Sequence, residues 1–163
     1  MEHSANNGGA DASPLPFPTG AACIVRGATR LLVGLGYRTL PEVPLANGRR
    51  ADLLAVDRRG AFVIIEVKSS RADFRADRKW PDYRPFCDAF YFAVAPDFPS
   101  AMLPADSGLI VADRYEGALL RPAPSHPLAA ARRRSMTLRF ARLAAARLMM
   151  ATDAGLVPGA RER

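Results

Sequence analysis

The chain has 163 residues, a formal net charge of +7, 49% hydrophobic residues and 24% charged residues. This length predicts one domain with a sizeable core. No apolar run reaches the ~18 residues of a membrane span, no secretory signal opens the sequence, and two cysteines are too few for a disulfide framework. We expect a cytoplasmic protein whose basic charge suits a polyanion, such as nucleic acid or a phospholipid surface.

Three segments of the chain differ in composition. Residues 1–18 consist mainly of Asn, Gly, Ser, Ala and Pro, which predicts a disordered N-terminal tail. Residues 19–151 contain the apolar periodic patterns and are predicted to form the folded domain. Residues 152–163 are predicted to be a flexible C-terminal tail.

The apolar pattern predicts the elements in chain order. A helix is expected from the candidate N-cap Thr19 to Gly36. A strand follows, and Pro41 and Pro44 are expected either to confine it to a sheet edge or to break it. The remaining elements are two central strands, a helical segment that ends or kinks near Pro81, a strand, a hairpin and a C-terminal helix, in the stretches "ADLLAVD", "AFVIIEVK", "SRADFRADRKW", "AFYFAVAP", "GLIVADRYEGALLR" and 128–151. This order predicts a mixed α/β domain built on a central sheet.

The turn between the two central strands predicts their register. A three-residue loop that ends in Gly60 supplies the left-handed residue required after a type I turn. Counting outward from that loop, Asp52 faces Glu66, with Cβ atoms about 5 Å apart on one face of the sheet. Lys68 shares this face because side chains alternate along a strand. Two carboxylates and an ammonium therefore converge at one end of two strands.

This grouping has two interpretations. A Glu-x-Lys sequence on a strand is usually a salt pair, but an Asp52 brought opposite by a hairpin favours a metal site. A divalent cation between the carboxylates would offset the cost of burying them, and hard oxygen ligands suit Mg²⁺, with Mn²⁺ as a substitute. Such an ion can activate water against a phosphodiester. All but two of the 23 basic residues are Arg, and the exceptions, Lys68 and Lys79, hint that a compact ammonium is needed here.

The same residues resemble a known signature. Asp52, thirteen intervening residues and Glu66-Val67-Lys68 are similar to the PD-(D/E)xK nuclease motif, with Ala51 in place of the proline. The order helix, three strands, helix, strand resembles the core of that restriction-endonuclease-like fold. Over residues 22–150 the chain resembles the bacterial MmcB-like DNA repair family, in "LPEVPL", "GRRADLLAVD", "IIEVKSSRADFRADRKWPDYRPFCDAFYFAVAPDFP", "GLIVADRYEGALLRPAP" and "RRRSMTLRFARLAAARL".

The resemblance implies roles for individual residues. Asp52 and Glu66 would be the metal ligands, together with the Val67 carbonyl, and Lys68 would be the catalytic lysine. Many members of the superfamily also carry an acidic residue on the first helix, and this chain has none there. Glu42, on the first strand, is a candidate replacement or else a solvated edge residue.

The helical segment after the motif offers further candidates. Lys79 and Tyr83 have the spacing of the polar residue and tyrosine that this segment often supplies in related nucleases. Trp80 is expected either to stack on an unpaired base or to anchor the segment to the core. The arginines expected to contact DNA are Arg49, Arg50, Arg132, Arg133 and Arg134.

These observations predict a Mg²⁺-dependent DNA endonuclease that acts in DNA repair and has no membrane partner. The alternative is a non-catalytic module that binds DNA or recruits a partner on the same fold, which the missing helix acid favours. A third hypothesis is a membrane-surface protein led by the basic C-terminal helix. The sequence leaves the oligomeric state open.

Overall fold

The computed structural model describes residues 20–76, 79–153 and 155. The predicted N-terminal tail and the candidate N-cap Thr19 lie outside these ranges, as does most of the predicted C-terminal tail. The domain boundaries at 19 and 151 therefore stay predictions.

In the part of the chain that the structure describes, six strands form one mixed sheet whose spatial order follows the chain: β1 (Arg38–Pro44), β2 (Arg50–Val56), β3 (Phe62–Lys68), β4 (Ala89–Val94), β5 (Gly108–Ala112) and β6 (Gly117–Arg121). Strands β1, β2 and β3 run antiparallel to one another, β3, β4 and β5 are parallel, and β6 returns antiparallel to β5. The proline-containing β1 lies at an edge, as predicted. The predicted hairpin near the C-terminus is the pair β5–β6.

Among the described residues, three α-helices accompany the sheet: α1 (Ala21–Gly34), α2 (Arg71–Ala76) and α3 (Ala130–Thr152). The buried residues of α1 recur at helical spacing, so one stripe of the helix faces the sheet: Ile24, Ala28 and Leu32. After α1 the chain reverses at Gly36, whose φ of 90° confirms its predicted role as a helix stop.

The helical segment after β3 does not continue as an α-helix past Pro81, in line with the expected end or kink there. Helix α2 extends to Ala76, and a 3₁₀-helix follows from Trp80 to Phe86. Pro81 lies in the first turn of this second helix, where a missing N–H costs no internal hydrogen bond. Tyr83 therefore belongs to the 3₁₀-helix, and not to a continuation of α2.

The hairpin β2–β3 confirms the predicted register. Gly60 has a φ of 78°, and the Asp57 N–H donates to the Ala61 carbonyl at 3.1 Å across the loop. Leu53 pairs with Ile65 along the ladder, which places Asp52 and Glu66 at the next opposed positions.

The sheet separates two apolar layers. Residues on one face pack against α1, including Leu53, Val63 and Ile65. Residues on the other face pack with α3 and the 3₁₀-helix, including Leu54, Phe62 and Ile64. All seven residues of β3 are buried. The architecture is mixed α/β with an open central sheet, consistent with a restriction-endonuclease-like fold.

Candidate active site

The predicted triad of Asp52, Glu66 and Lys68 lies on the face of the sheet that carries α3. Asp52 is near the start of β2, and Glu66 and Lys68 are at the end of β3. Alternation along β3 puts Glu66 and Lys68 on the same face as Phe62 and Ile64, which belong to the apolar layer beneath α3. The structure thus brings the three residues together on rigid strands.

Asp52 is fixed by the backbone of the neighbouring strand. Its Oδ2 accepts a hydrogen bond of 2.8 Å from the Val67 N–H. Burial raises the pKa of Asp52 above its ordinary value, and this hydrogen bond and the charge of Lys68 oppose the rise. The carboxylate is therefore held in one orientation at an energetic cost.

Glu66 bears the largest electrostatic cost at the site. Its side chain is buried, with the residue only 7% exposed, and its Oε1 lies 3.2 Å from the Nζ of Lys68. Within the described residues, its Oε2 is buried without any hydrogen-bond partner. Burial and the nearby charge of Asp52 raise the pKa of Glu66 to about 7, although the Lys68 ammonium opposes this.

Lys68 is buried even more deeply than Glu66, at 3% exposure. A buried ammonium needs compensating charge, and here it receives that charge from Glu66. When both acids are ionised, the triad of Asp52, Glu66 and Lys68 still carries one net negative charge. A proton or a cation bound at the unpartnered Oε2 of Glu66 would neutralise this negative charge.

Tyr83 reaches the triad from the 3₁₀-helix. Its ring is buried and stacks on Phe90, with centroids 5.8 Å apart. The hydroxyl donates to the Arg50 carbonyl at 3.0 Å and lies near enough to Glu66 to ease its negative charge. Lys79 is exposed at the start of the same 3₁₀-helix, where its carbonyl accepts the Asp82 N–H. A role for Lys79 at the site stays a prediction.

Glu42 lies beside Asp52 on the neighbouring strand β1, between the paired positions Pro41–Leu53 and Val43–Ala51. Its φ of 50° is unusual for a residue with a side chain. Its carboxylate pairs with the Arg50 guanidinium at 2.5 Å, and its negative charge contributes to the raised pKa of Asp52. Arg147 of α3 donates to the Pro41 and Glu42 carbonyls. The structure therefore places a third acid next to the triad.

Several predicted DNA-contacting residues have partners within the chain. Arg49 bonds Asp82 through Nε and Nη2 at 3.1 and 2.8 Å. Trp80 stacks on Phe90 with ring centroids 5.6 Å apart, which fits the expected role as a packing anchor. The guanidinium of Arg132 lies over the Phe86 ring at 4.7 Å.

Arg133 also has partners within the chain. Its guanidinium forms two hydrogen bonds with Asp88 at 2.6 and 2.8 Å and a third with the Gly60 carbonyl. These bonds tie the start of α3 to Asp88, directly before β4, and to Gly60 in the turn before β3. The Arg133 side chain is still 31% exposed, and its contact with DNA stays a prediction. Arg134, in contrast, is exposed on α3, and its contact with DNA stays a prediction.

Sequence reasoning missed Asp88, the partner of Arg133. Asp88 also accepts hydrogen bonds from the N–H groups of Phe62 and Leu128, at 2.7 and 2.9 Å. These hydrogen bonds, together with Arg133, hold its pKa below the ordinary value, although burial opposes them. The sequence signal that could have identified Asp88 was its position as a single acidic residue between Cys87, which is buried, and an apolar strand.

The metal-ligand set is small. Within the part of the chain that the structure describes, no three His, Cys, Asp or Glu side chains group closely enough to hold a metal. The carboxylates that face each other are Asp52 and Glu66, with the orphaned Oε2 between buried neighbours. This donor chemistry fits a hard divalent cation that keeps several waters.

Comparison with known proteins gives the family. A family model described as "DNA repair protein MmcB-like" matches residues 14–155. The chain belongs to the MmcB-like DNA repair family. It is also similar to a solved structure of a protein of unknown function from Silicibacter pomeroyi, with 39% sequence identity and a TM-score of 0.84, covering 89% of this chain and 99% of that one. A search of curated proteins gave no match.

Membership of the MmcB-like family confirms the resemblance read from the sequence and associates the chain with DNA repair. The Silicibacter pomeroyi protein shares the fold over nearly its whole length. Across the described ranges, no helix has the length and apolar character needed to cross a bilayer.

Proposed function

We propose that this chain is a Mg²⁺-dependent DNA endonuclease of the MmcB-like family, with Mn²⁺ as a competent substitute. The observation that carries the proposal is the buried, unpartnered Oε2 of Glu66, which lies on the same face as Asp52 and Lys68. A purely structural protein gains nothing from a buried carboxylate oxygen without a donor, because its desolvation costs about 1–3 kcal/mol or more.

Asp52 and Glu66 would hold the metal, assisted by the Val67 carbonyl. The bound ion would supply Lewis-acid stabilisation of the scissile phosphate and a water of lowered pKa. Asp52 is already oriented by the Val67 N–H, so little side-chain freedom would be lost on binding. Glu42 is a candidate for a further, outer position, because its charge acts on Asp52.

Lys68 would act as a point charge beside the reacting phosphate. Its ammonium is held 3.2 Å from Glu66 on a buried strand, so its position is fixed before DNA binds. From that position it can orient the attacking water or neutralise charge that develops on the phosphate oxygens. The Tyr83 hydroxyl would help to position Arg50, because it donates a hydrogen bond to the Arg50 main-chain carbonyl. The Tyr83 ring would help to form the pocket around Glu66.

The phosphate backbone would be bound by arginines on the surface. Arg134 is exposed on α3, and Arg132 lies beside it over the Phe86 ring. Arg49 and Arg50 flank the start of β2, where their pairing with acids leaves each guanidinium partly exposed. The net charge of +7 supports such contacts over a wide surface.

The proposal is tested with a cleavage panel of single-stranded, flapped, nicked and branched DNA in Mg²⁺, Mn²⁺ or EDTA. The wild type should cut at least one substrate in a metal-dependent way, and Asp52→Asn and Lys68→Arg should not, because the Arg fork cannot take the place of a compact ammonium. Arg58→Ala is the matched control, since it removes one charge from the β2–β3 turn at the far end of the sheet. Equal cleavage by Asp52→Asn and wild type would refute the proposal.

A second candidate function is a non-catalytic DNA-binding or partner-recruiting module. The observation that favours it is the ion pair between Lys68 and Glu66, which are 3% and 7% exposed and resemble a buried structural pair. Such a module would bind DNA equally well in EDTA and in Mg²⁺ and would show no metal-dependent change in stability. For a metal-dependent nuclease, DNA binding should instead differ between EDTA and Mg²⁺, and Mg²⁺ should change the stability of the protein.

A further inference from the structure

A cavity of about 460 Å³ lies at the carboxyl ends of the parallel strands β3, β4 and β5, beside the first turn of α1. Its walls include Ser69, Ala95, Ala112, Arg114 and Tyr115. In open sheets, crevices at the carboxyl ends of parallel strands are common ligand sites. This volume falls in the range of about 300–1,000 Å³ that small-molecule sites occupy.

The cavity adjoins the candidate active site along the chain. Lys68 is the last residue of β3, and Ser69 follows it directly. The cavity lies on the α1 face of the sheet, because Ala95 and Ala112 belong to the apolar layer beneath α1, whereas strand alternation puts Lys68 on the α3 face. A single DNA strand that crosses the carboxyl edge of the sheet would lead from a phosphate at Lys68 to this cavity.

Tyr115 is an exposed aromatic residue at the rim. Its side chain belongs to a residue that is 62% exposed. Its backbone, however, is fixed on two sides: the N–H donates to Asp113 Oδ1 at 2.7 Å, and the carbonyl accepts from Arg30 of α1 at 2.7 Å. A ring on a fixed backbone loses little conformational freedom when a ligand stacks on it.

Arg114 adds a positive charge at the same rim. Its guanidinium carbon lies 4.9 Å from the centre of the Tyr115 ring. The small side chains of Ala95 and Ala112 leave the interior open and apolar. An aromatic platform, an adjacent guanidinium and an apolar interior together suit a nucleobase with its phosphate. They do not suit a paired base, because both of its faces are covered by neighbours in the duplex.

We propose that this cavity receives an unpaired nucleobase of the strand that crosses the sheet edge from Lys68, stacked on Tyr115, with Arg114 contacting the phosphate of that nucleotide. The substrate class is accordingly DNA with a single-stranded segment beside the cleavage position, such as a tail or flap. This inference rests on the proposed function, whose site supplies the neighbouring phosphate position. It assigns base stacking to Tyr115, whereas the sequence suggested Trp80, which instead packs on Phe90.

The test measures binding, by fluorescence anisotropy, of a blunt duplex and of the same duplex with a single-stranded tail. All proteins carry Asp52→Asn so that neither DNA is cut. The parent protein should bind the tailed duplex more tightly than the blunt one. Tyr115→Ala should weaken binding of the tailed duplex about ten-fold or more and leave the blunt duplex unchanged.

Two further variants separate the cavity from general charge effects. Ala95→Trp fills the cavity and should also remove the preference for the tail. Arg114→Ala should reduce tail affinity more than Arg58→Ala, which removes the same charge at the opposite end of the sheet. Because Tyr115 is exposed, Tyr115→Ala should keep the melting temperature of the parent, which confirms that the fold is intact.

Equal affinity for the two DNAs, no measurable binding of either, or equal losses for Tyr115→Ala and Arg58→Ala would overturn the inference. The experiments distinguish failure of this inference from failure of the proposed function. Metal-dependent cleavage without a tail preference would remove only the cavity assignment. A tail preference that depends on Tyr115 in a chain that never cuts DNA would keep the assignment and remove the nuclease.

Discussion

Replacement of Glu66 by Gln should stabilise the metal-free protein at neutral and alkaline pH. The substitution keeps the shape of the side chain and removes the charge that burial and Asp52 oppose. In the wild type, the pKa of Glu66 is raised from the ordinary 4.5 to about 7. Between these two values, the folded chain holds a proton that the unfolded chain has released. The free energy of unfolding must therefore fall as pH rises through this window.

The expected size follows from the same two values. At 1.36 kcal/mol for each pH unit of difference, ionised Glu66 costs the wild type ~3 kcal/mol above pH 7. Below pH 5 the protonated Glu66 is neutral, like Gln, so the two proteins should have nearly equal stability. Above pH 7 the variant should be more stable by ~3 kcal/mol, which corresponds to about 6–12 °C in melting temperature for a chain of this size.

Urea denaturation in EDTA from pH 5 to 8 measures this difference, with the fluorescence of the single tryptophan, Trp80, as the probe. Trp80 packs on Phe90 in the core and should report global unfolding. Glu116→Gln is the matched control, because it removes one carboxylate from an exposed turn. A stability difference between Glu66→Gln and wild type that is constant across this pH range would refute the assigned electrostatics of the site.

Three other results are expected. Mg²⁺ at a hundred times its dissociation constant should raise the free energy of unfolding of the wild type by about 2.7 kcal/mol, and that of Asp52→Asn by much less, in thermal melts; an equal rise in both would place the ion elsewhere. Asp88→Asn should lower the free energy of unfolding by ~3 kcal/mol, because it leaves Arg133 without its ion pair, while the salt dependence of DNA binding stays unchanged. Gly27→Ala should lower the melting temperature sharply, since a Cβ there would overlap main-chain oxygens of the β5–β6 turn, whereas Gly34→Ala in the same helix meets open space and should not.

The central strands and the triad were predictable because the residues that determine the strand register lie close together in the sequence. The loop ending in Gly60 sets the register of the β2–β3 hairpin, and that register alone determines that Asp52 opposes Glu66. Strand alternation then adds Lys68 to the same face. The prolines of β1 likewise restrict that strand to an edge, whatever the rest of the fold does.

The partners of the arginines were not predictable because they depend on how distant elements pack. Arg133 is 45 residues from Asp88 in sequence, and their ion pair exists only because the start of α3 packs beside the start of β4. Composition indicated a basic surface but could not separate Arg133 from its exposed neighbour Arg134. The contact that fixes Tyr115 could not be predicted for the same reason, since the donor to its carbonyl, Arg30 of α1, is 85 residues away in sequence.

The segment after β3 is a third feature that the sequence predicted only in part. Its residues have helical character, yet Pro81 and Pro85 produce a separate 3₁₀-helix from Trp80 to Phe86. The tighter turn directs Tyr83 toward Arg50 and Glu66. The resemblance to related nucleases named Tyr83 as a candidate, but it could not give the contacts that this residue makes.

The most direct test of the account is the single-turnover rate of DNA cleavage by Glu66→Gln in Mg²⁺ at pH 8. At this pH the variant should be more stable than the wild type without metal, so loss of fold cannot explain a loss of rate. We expect a cleavage rate at least about 100-fold below that of the wild type, because a metal ligand worth several kcal/mol of transition-state stabilisation is gone. A wild-type rate in Glu66→Gln would contradict the assignment of Asp52, Glu66 and Lys68 as the site of a metal-dependent nuclease.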